Sequence, residues 1–461
     1  MRRIKKKAKR LNNKSGLQIN VNKSIECYKQ GLEEGYQQGL DAGYKSFESN
    51  FEGTSIIIPC YNEVENVKQC IESIINYTNS FYEIIVVDNN SSDGIEQYMK
   101  QQGGMVKYHS LSHNHGFAGA ANRGLMMAKG TTMLLLSNNV VCTDNWLDNM
   151  LISLQSNPGI GMVGAVSNGM NGDQRMETSY RNMEDMQEFA TKNNISDPSR
   201  WRTAENLSKK CLLFRRELLE KVGFLDEGCL EGPYDENDYC IRVRLQGLSL
   251  VYAGDAFVHL ISRDEEISSS EAQAAKEEAQ LYYMDKWINP NKVLSDISNN
   301  NLLIQTDVSR SIRLHERRFG ETAFYPQSIA VKGLTETIYW IEDCSRRPIK
   351  GKWEGPVIQL SQIALRQWTI GPELNEEEAL LKLDLVRGGR KIAIHHGSIC
   401  VKTNGDMYYM ENGMKRAIVS PLAVEAWHMN MRPQVSLSVS ELLDIPDGLP
   451  IIVPINLRQA L

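Results

Sequence analysis

From Thr54 onward the chain alternates short apolar runs with amphipathic ones: SIIIP, an amphipathic stretch from Glu65 to Asn76, YEIIVVD, a second helical run, then MVKYHSL. Strands separated by helical segments predict a largely parallel sheet flanked by helices. A helical segment through Asn122 leads to TTMLLLSNN, a buried strand whose carboxyl end turns polar. Such carboxyl ends are where open α/β sheets bind ligands. Residues 170–205 are polar, rich in Met and Asn and only weakly periodic, which predicts a mobile loop. Order returns at KKCLLFRRELLEKVGFLDE; DENDYCIRVRLQG opens a helix that Gly247 ends, SLVYAGDAFVHL is a further strand, and a helix through LYYMDKW closes the unit.

Beyond Ile288 the pattern becomes an internal repeat. SIAVKGLTETIYWIEDCSRRPI begins at Ser328 and SICVKTNGDMYYMENGMKRAI at Ser398, pairing Tyr339 with Tyr408, Trp340 with Tyr409, Glu342 with Glu411 and Arg347 with Arg416. Asn412 and Gly413 stand where a two-residue hairpin turn would, and Asp343 with Cys344 take that place in the first copy. Paired small β-rich modules are the expectation, with the four aromatics packing the hairpins rather than serving as sugar platforms. Ahead of Thr54, Gly31, Gly35, Gly39 and Gly43 make a stripe at a spacing of four, compatible with a helix only if a partner surface packs against it.

At 461 residues the chain exceeds one ordinary core. The expected division is a basic tip and glycine-striped arm over 1–50, a catalytic α/β domain over 51–290, a linker over 291–325, and β-rich modules over 326–385 and 386–461. The formal net charge is −6, although the first ten residues, MRRIKKKAKR, carry only cations. That tip lacks the apolar stretch of a secretory signal. No run approaches the roughly 18 apolar residues of a membrane span, so the expectation is a cytoplasmic protein. Peripheral contact with a membrane or spore surface through the tip stays open, as does self-association, and no nucleic-acid partner is expected. Nine scattered cysteines without a CxxC pair fit free thiols in a reducing compartment.

Candidate chemistry gathers at the strand ends. SIIIPCYNE places Pro59, Tyr61 and Glu63 beside VVDNNSSDG, whose Asp88 can accept hydrogen bonds from a base or ribose. NHGFAGAANRG lets a helix approach the sheet closely and turn its N-terminus toward an anion such as a diphosphate. The cluster YDENDYC supplies carboxylates at a helix start, where one can act as a base tuned by its like-charged neighbours.

Taken in order, SIIIPCYNE, VVDNNSSDG, NHGFAGAANRG, the LLLSNN strand, GFLDE, YDENDYCIRVR and VHL resemble the family 2 glycosyltransferases, over about half of the chain. The resemblance implies the GT-A fold, a Rossmann-like mixed and mainly parallel sheet, and an inverting transfer from a nucleotide-diphosphate sugar to an acceptor hydroxyl. Carried over by position, Pro59, Tyr61, Glu63, Asp88 and Asn90 would hold the nucleoside. Asn114, Gly116, Ala118, Asn122 and Asn138 would border the sugar nucleotide. Glu236 falls where the family has its catalytic Asp, flanked by Asp235 and Asp238. Asn139 takes the place of the acid that ligates a divalent cation (Mg or Mn), with His259 as a second candidate ligand; an amide brings no charge to that metal. Arg242 and Arg244 are alternative cations for the leaving group. The NxGFAxAxN variant is similar to rhamnosyltransferase-like members, which implies a dTDP- or UDP-sugar donor. The acceptor would be a glycan, a lipid-linked sugar or a protein. The C-terminal repeats resemble YLIENGKKRPI-type modules of bacterial surface proteins, which implies a cell-envelope or spore-surface pathway. The competing expectation is a catalytically weak sugar-nucleotide-binding scaffold.

Overall fold

The computed structural model describes residues 50–102, 104–229, 233–261, 270–296, 320–387, 396–402 and 405–459. The basic tip and the glycine stripe lie outside them. Glu52–Leu461 is the larger of the two units into which the chain divides.

The first half of the larger unit is an α/β layer structure with β1 (Phe51–Cys60), α1 (Val64–Tyr77), β2 (Tyr82–Asp88), α2 (Ile95–Gln101), β3 (Val106–Ser110), α3 (Gly116–Met127), β4 (Gly130–Leu136) and β5 (Val140–Val141). There follow α4 (Trp146–Ser156), β6 (Ile160–Ser167), α5 (Met183–Asn193), β7 (Trp201–Ala204), β8 (Cys211–Arg215), α6 (Arg216–Val222), α7 (Tyr234–Leu245), β9 (Ser249–Leu260) and α8 (Ser270–Trp287). The strands form one mixed sheet in the order β3-β2-β1-β4-β8-β6-β9-β5, with β7 paired to β9. β1, β2 and β3 run parallel, as do β6 and β9, whereas β8 is antiparallel to both β4 and β6.

The continuous apolar runs follow from burial on both faces. Ile56 and Ile58 of β1 and Leu134 and Leu136 of β4 enter the core on one side with Val67, Cys70, Ile71 and Ile74 of α1. Ile57, Met133 and Leu135 enter the other side with Ala118, Ala120, Ala121 and Leu125 of α3. The small residues of α3 are a packing requirement: a Cβ on Gly124 would stand 2.2 Å from Ile57 Cγ2.

The expectation of a mobile loop over residues 170–205 is corrected by the packing of that segment. It is ordered: α5 buries Met186 and Ala190, one turn apart, against Val166 and Phe257, and β7 pairs with β9. The weak periodicity reflects a helix that buries so few positions, not the absence of one.

The second half of this unit carries two further sheets, of six and four strands. In the first, Ile338–Glu342 pairs antiparallel with Ser345–Lys350 and sets Trp340 opposite Arg347; in the second, Met407–Glu411 pairs with Met414–Ala417 and sets Tyr409 opposite Arg416. Both hairpins turn through two residues of positive φ, Asp343 and Cys344 at 49° and 56°, Asn412 and Gly413 at 53° and 75°. Those values favour the tight turn that matches strand twist. Glu342 pairs with Arg347, and Glu411 with Arg416. Trp340 and Tyr409 are fully buried, which makes them packing residues. These sheets share a core with the first half, in which Ile241, Leu245 and Trp287 meet Phe324, Trp427 and Ile452. Full burial of side chains this large stabilises by roughly 1.5–3 kcal/mol each.

Candidate active site

The ends of β1, β2 and β4 meet at one edge of the sheet. β1 runs into Asn62 and Glu63, both left-handed at φ 57° and 63°, and β2 into Asn90 at 70°. Non-glycine residues in that region cost on the order of 1–3 kcal/mol each and concentrate where ligands bind. Glu63 Oε2 accepts hydrogen bonds from Asn138 Nδ2 and Asn66 Nδ2, both at 3.2 Å, tying the first motif to the LLLSNN strand end. Tyr61 and Asn90 are exposed, while Pro59 is buried. Asp88 is 2% exposed; its oxygens accept from Ser91 N at 2.8 Å, the Tyr108 hydroxyl at 2.8 Å and the Ser110 hydroxyl at 3.3 Å. It therefore builds the loop from inside.

The N-terminus of α3 is held to this edge by Asn89, a residue that the motif pattern does not single out. The Asn89 carboxamide donates to Asn114 Oδ1 at 2.7 Å and to the Gly116 carbonyl at 3.0 Å, and accepts from His115 N at 2.8 Å. Asn114 Oδ1 also accepts from Gly116 N at 2.8 Å, and Gly116 turns the chain at φ 72°. Ala118 and Asn122 face inward. Asn122 Nδ2 donates to the Leu225 carbonyl and Glu227 Oε1, and its oxygen accepts from Leu225 N, so it joins α3 to the GFLDE loop.

The three acids of α7 separate. Asp238 is fully buried, with Arg242 Nε at 2.8 Å, Lys286 Nζ at 2.6 Å and Trp287 Nε1 at 2.9 Å. Burial raises its pKa, but the Lys286 and Arg242 charges outweigh that and hold it at about 2. Asp238 is thereby a structural node and not part of a catalytic cluster. Arg242, 1% exposed, reaches Glu321 as well and is equally committed to the interior, leaving it unsuited to a leaving group. Asp235, 2% exposed, receives Lys209 Nζ at 2.6 Å on Oδ1; its Oδ2 accepts no hydrogen bond among the described residues. Glu236 is partly exposed and accepts from Lys209 N at 2.7 Å. Burial drives its carboxyl up; the Lys209 charge pulls it down, Asp235 pushes it up again, and the balance is about 7. A carboxylate tuned to neutrality at the rim of a sheet edge is the arrangement a general base requires. Lys209 also stands 4.6 Å from the centroid of the Phe117 ring, which links the acids to the start of α3.

Residues 55–223 match the family model described as glycosyl transferase family 2. Relatives of the chain include Glycosyltransferase AglE of Haloferax volcanii, 26% identical over 245 residues, 50% of this chain and 75% of that protein. A poly-beta-1,6-N-acetyl-D-glucosamine synthase of Staphylococcus epidermidis is 30% identical over 121 residues, 26% of this chain and 29% of that protein. Of solved structures, GalNAc-T7 with UDP, GalNAc and Mn2+ is similar at a TM-score of 0.41 and 16% identity, over 52% of this chain and 49% of that one. The mixed sheet and its flanking helices are those of the expected GT-A architecture.

The two positions expected to ligate a metal, Asn139 and His259, are poor in ligands. Asn139 opposes Ile261 at the junction of β5 and β9, donating through Nδ2 to the Ile261 carbonyl at 3.2 Å, and its buried Oδ1 accepts nothing among the described residues. His259 lies opposite Val141 on the same strand pair; its Nδ1 is 2.6 Å from the Tyr180 hydroxyl, and burial lowers its pKa, favouring neutral imidazole. No group of three or more His, Cys, Asp or Glu side chains that could hold a metal occurs among the described residues. One neutral oxygen and one committed histidine do not fit a resident divalent cation, which takes several oxygen ligands, carboxylates above all. A cation there would need the diphosphate of the donor as its principal ligand. Among the described residues no helix is long and apolar enough to cross a membrane, and the eight described cysteines are free.

Proposed function

We propose that the transferase domain moves a sugar from a nucleotide-diphosphate donor to an acceptor hydroxyl by a single in-line displacement that inverts the anomeric centre, with Glu236 as the general base. The observation that carries this is the placement of Glu236: a partly buried carboxyl that accepts the Lys209 N–H near the start of α3, where burial pushes it up to about 7. Glu236 takes the acceptor proton, the freed oxygen attacks the anomeric carbon, and the bond to the diphosphate breaks on the opposite face. Tyr61, Glu63 and Asn90 at the strand ends would hold the nucleoside. Asn114, Gly116 and the backbone at the start of α3 would face the diphosphate, where helix N–H groups favour an anion. No step is assigned to a metal.

The NxGFAxAxN pattern supports a dTDP- or UDP-deoxyhexose or hexose as donor, and the repeat modules support a cell-envelope or spore-surface glycan as acceptor. Release of nucleoside diphosphate from a panel of sugar nucleotides, with manganese, with magnesium and with chelator, tests this reading. Turnover of one donor that disappears in Glu236→Gln is the expected result; undiminished turnover in that variant would remove the base assignment. The neutral Asn139 oxygen favours a second reading, a sugar-nucleotide-binding scaffold. Tight donor binding by calorimetry, with no turnover in the presence of candidate acceptors, would select it.

A further inference from the structure

Three side chains and two backbone N–H groups converge where the segment before β8 crosses the start of α7. Lys209 Nζ binds Asp235 Oδ1 at 2.6 Å, the same oxygen accepts from Glu236 N at 2.9 Å, and Lys209 N donates to Glu236 Oε2 at 2.7 Å. The Lys209 side chain is 18% exposed and its ammonium sits over the Phe117 ring, so water screens it only in part. The groups facing Glu236 are thus Asp235 on its own helix, and Lys209 and Lys210 from the crossing segment; Cys240 lies one turn further along α7.

We propose that Lys209 is a positioning residue for Glu236: its backbone N–H aims the carboxylate, and its ammonium neutralises the buried Asp235 beside it. This rests on the assignment of Glu236 as base. Were the ammonium removed, Asp235 would face Glu236 as an uncompensated like charge, and the proton on Glu236 would be held more tightly. The backbone contact would survive, which separates the electrostatic role from the geometric one.

The test uses full-length protein labelled with glutamate carrying carbon-13 in the side-chain carboxyl, with Glu236→Gln identifying the Glu236 resonance. The titration midpoint of Glu236 is expected to rise in Lys209→Met and Lys209→Gln and to return to the wild-type value in Lys209→Arg. Thermal unfolding identifies any variant that does not fold, and the remaining neutral variant then decides. With a turned-over donor, the acidic limb of kcat/KM moves upward with the midpoint, and a limb lying one pH unit higher lowers kcat/KM about tenfold at pH values below it. An unmoved midpoint in the folded neutral variants, or no return in Lys209→Arg, overturns the proposal. The two claims fail separately: full turnover by Glu236→Gln removes the base assignment, whereas an unmoved midpoint alongside an inactive Glu236→Gln removes only the role of Lys209.

Discussion

Glu236 and Asp238 stand two residues apart on one helix, carry the same charge and meet opposite fates. Asp238 points into the interior, where Lys286 and Arg242 hold it ionised at about 2. Glu236 stays at the rim, where partial burial and Asp235 offset the Lys209 charge and leave it at about 7. The difference lies in the cations each one meets: two buried ones in direct contact with Asp238, and for Glu236 a partly exposed Lys209 whose ammonium is bound to Asp235 instead. A carboxylate with full compensation holds a structure together, and one with partial compensation can exchange protons near neutral pH.

The largest expected effect is on the rim. Glu236→Gln should lower transfer by about 10²–10⁴-fold with little change in unfolding temperature. Equal losses of activity and stability would place Glu236 with Asp238 as a structural acid. Next, Asp238→Ala should leave Lys286 and Arg242 without their shared partner and cost about 3–5 kcal/mol in denaturant unfolding; a stable variant would show that Asp226 and Glu321 suffice for both cations. Third, the two acids should read out in different pH windows. Because the Asp238 pKa is lowered on folding, its contribution is complete above the unfolded carboxylate range and is lost as pH falls from about 4 to about 2, on the order of 2 kcal/mol. Glu236 must be ionised to act, so kcat/KM should rise with pH through about 7. Coincident limbs would erase the distinction. Smallest is the contrast one turn further on. Arg244, which reaches only the Glu205 carbonyl at 3.4 Å among the hydrogen bonds described, should be replaceable by Met within about 0.5 kcal/mol. Arg242→Met should resemble Asp238→Ala.

Much of the fold was legible because the signals are local. SIIIP, YEIIVVD and TTMLLL are apolar enough to be buried on both faces, and Gly247 ends α7 in the left-handed conformation, φ 74°, that its residue type suggests. The hairpin turn at Asn412 and Gly413 was readable for the same reason. By contrast α5 was hidden, because Met186 and Ala190 are its only fully buried positions and a polar face masks the period. In the site, the motif order singled out Glu236 and the neighbourhood of α3. It could not show that Asp88, Asn122 and Asp238 turn inward, since their partners Tyr108, Glu227 and Lys286 are distant in sequence or carry no motif. Lys209 was hidden because KKC reads as the polar entry to a strand.

By itself the sequence determined which segments become strands and helices, which strand ends turn polar and which helix begins with acids, because these follow from side-chain type at a fixed spacing along the backbone. Only the tertiary structure decided which acid is compensated. That depends on cations delivered from elsewhere in the chain, Lys209 from before β8, Lys286 from α8 and the Arg242 to Glu321 contact from the second half. Charge interactions act through space and are governed by the burial each group meets, and neither quantity exists until the elements have packed.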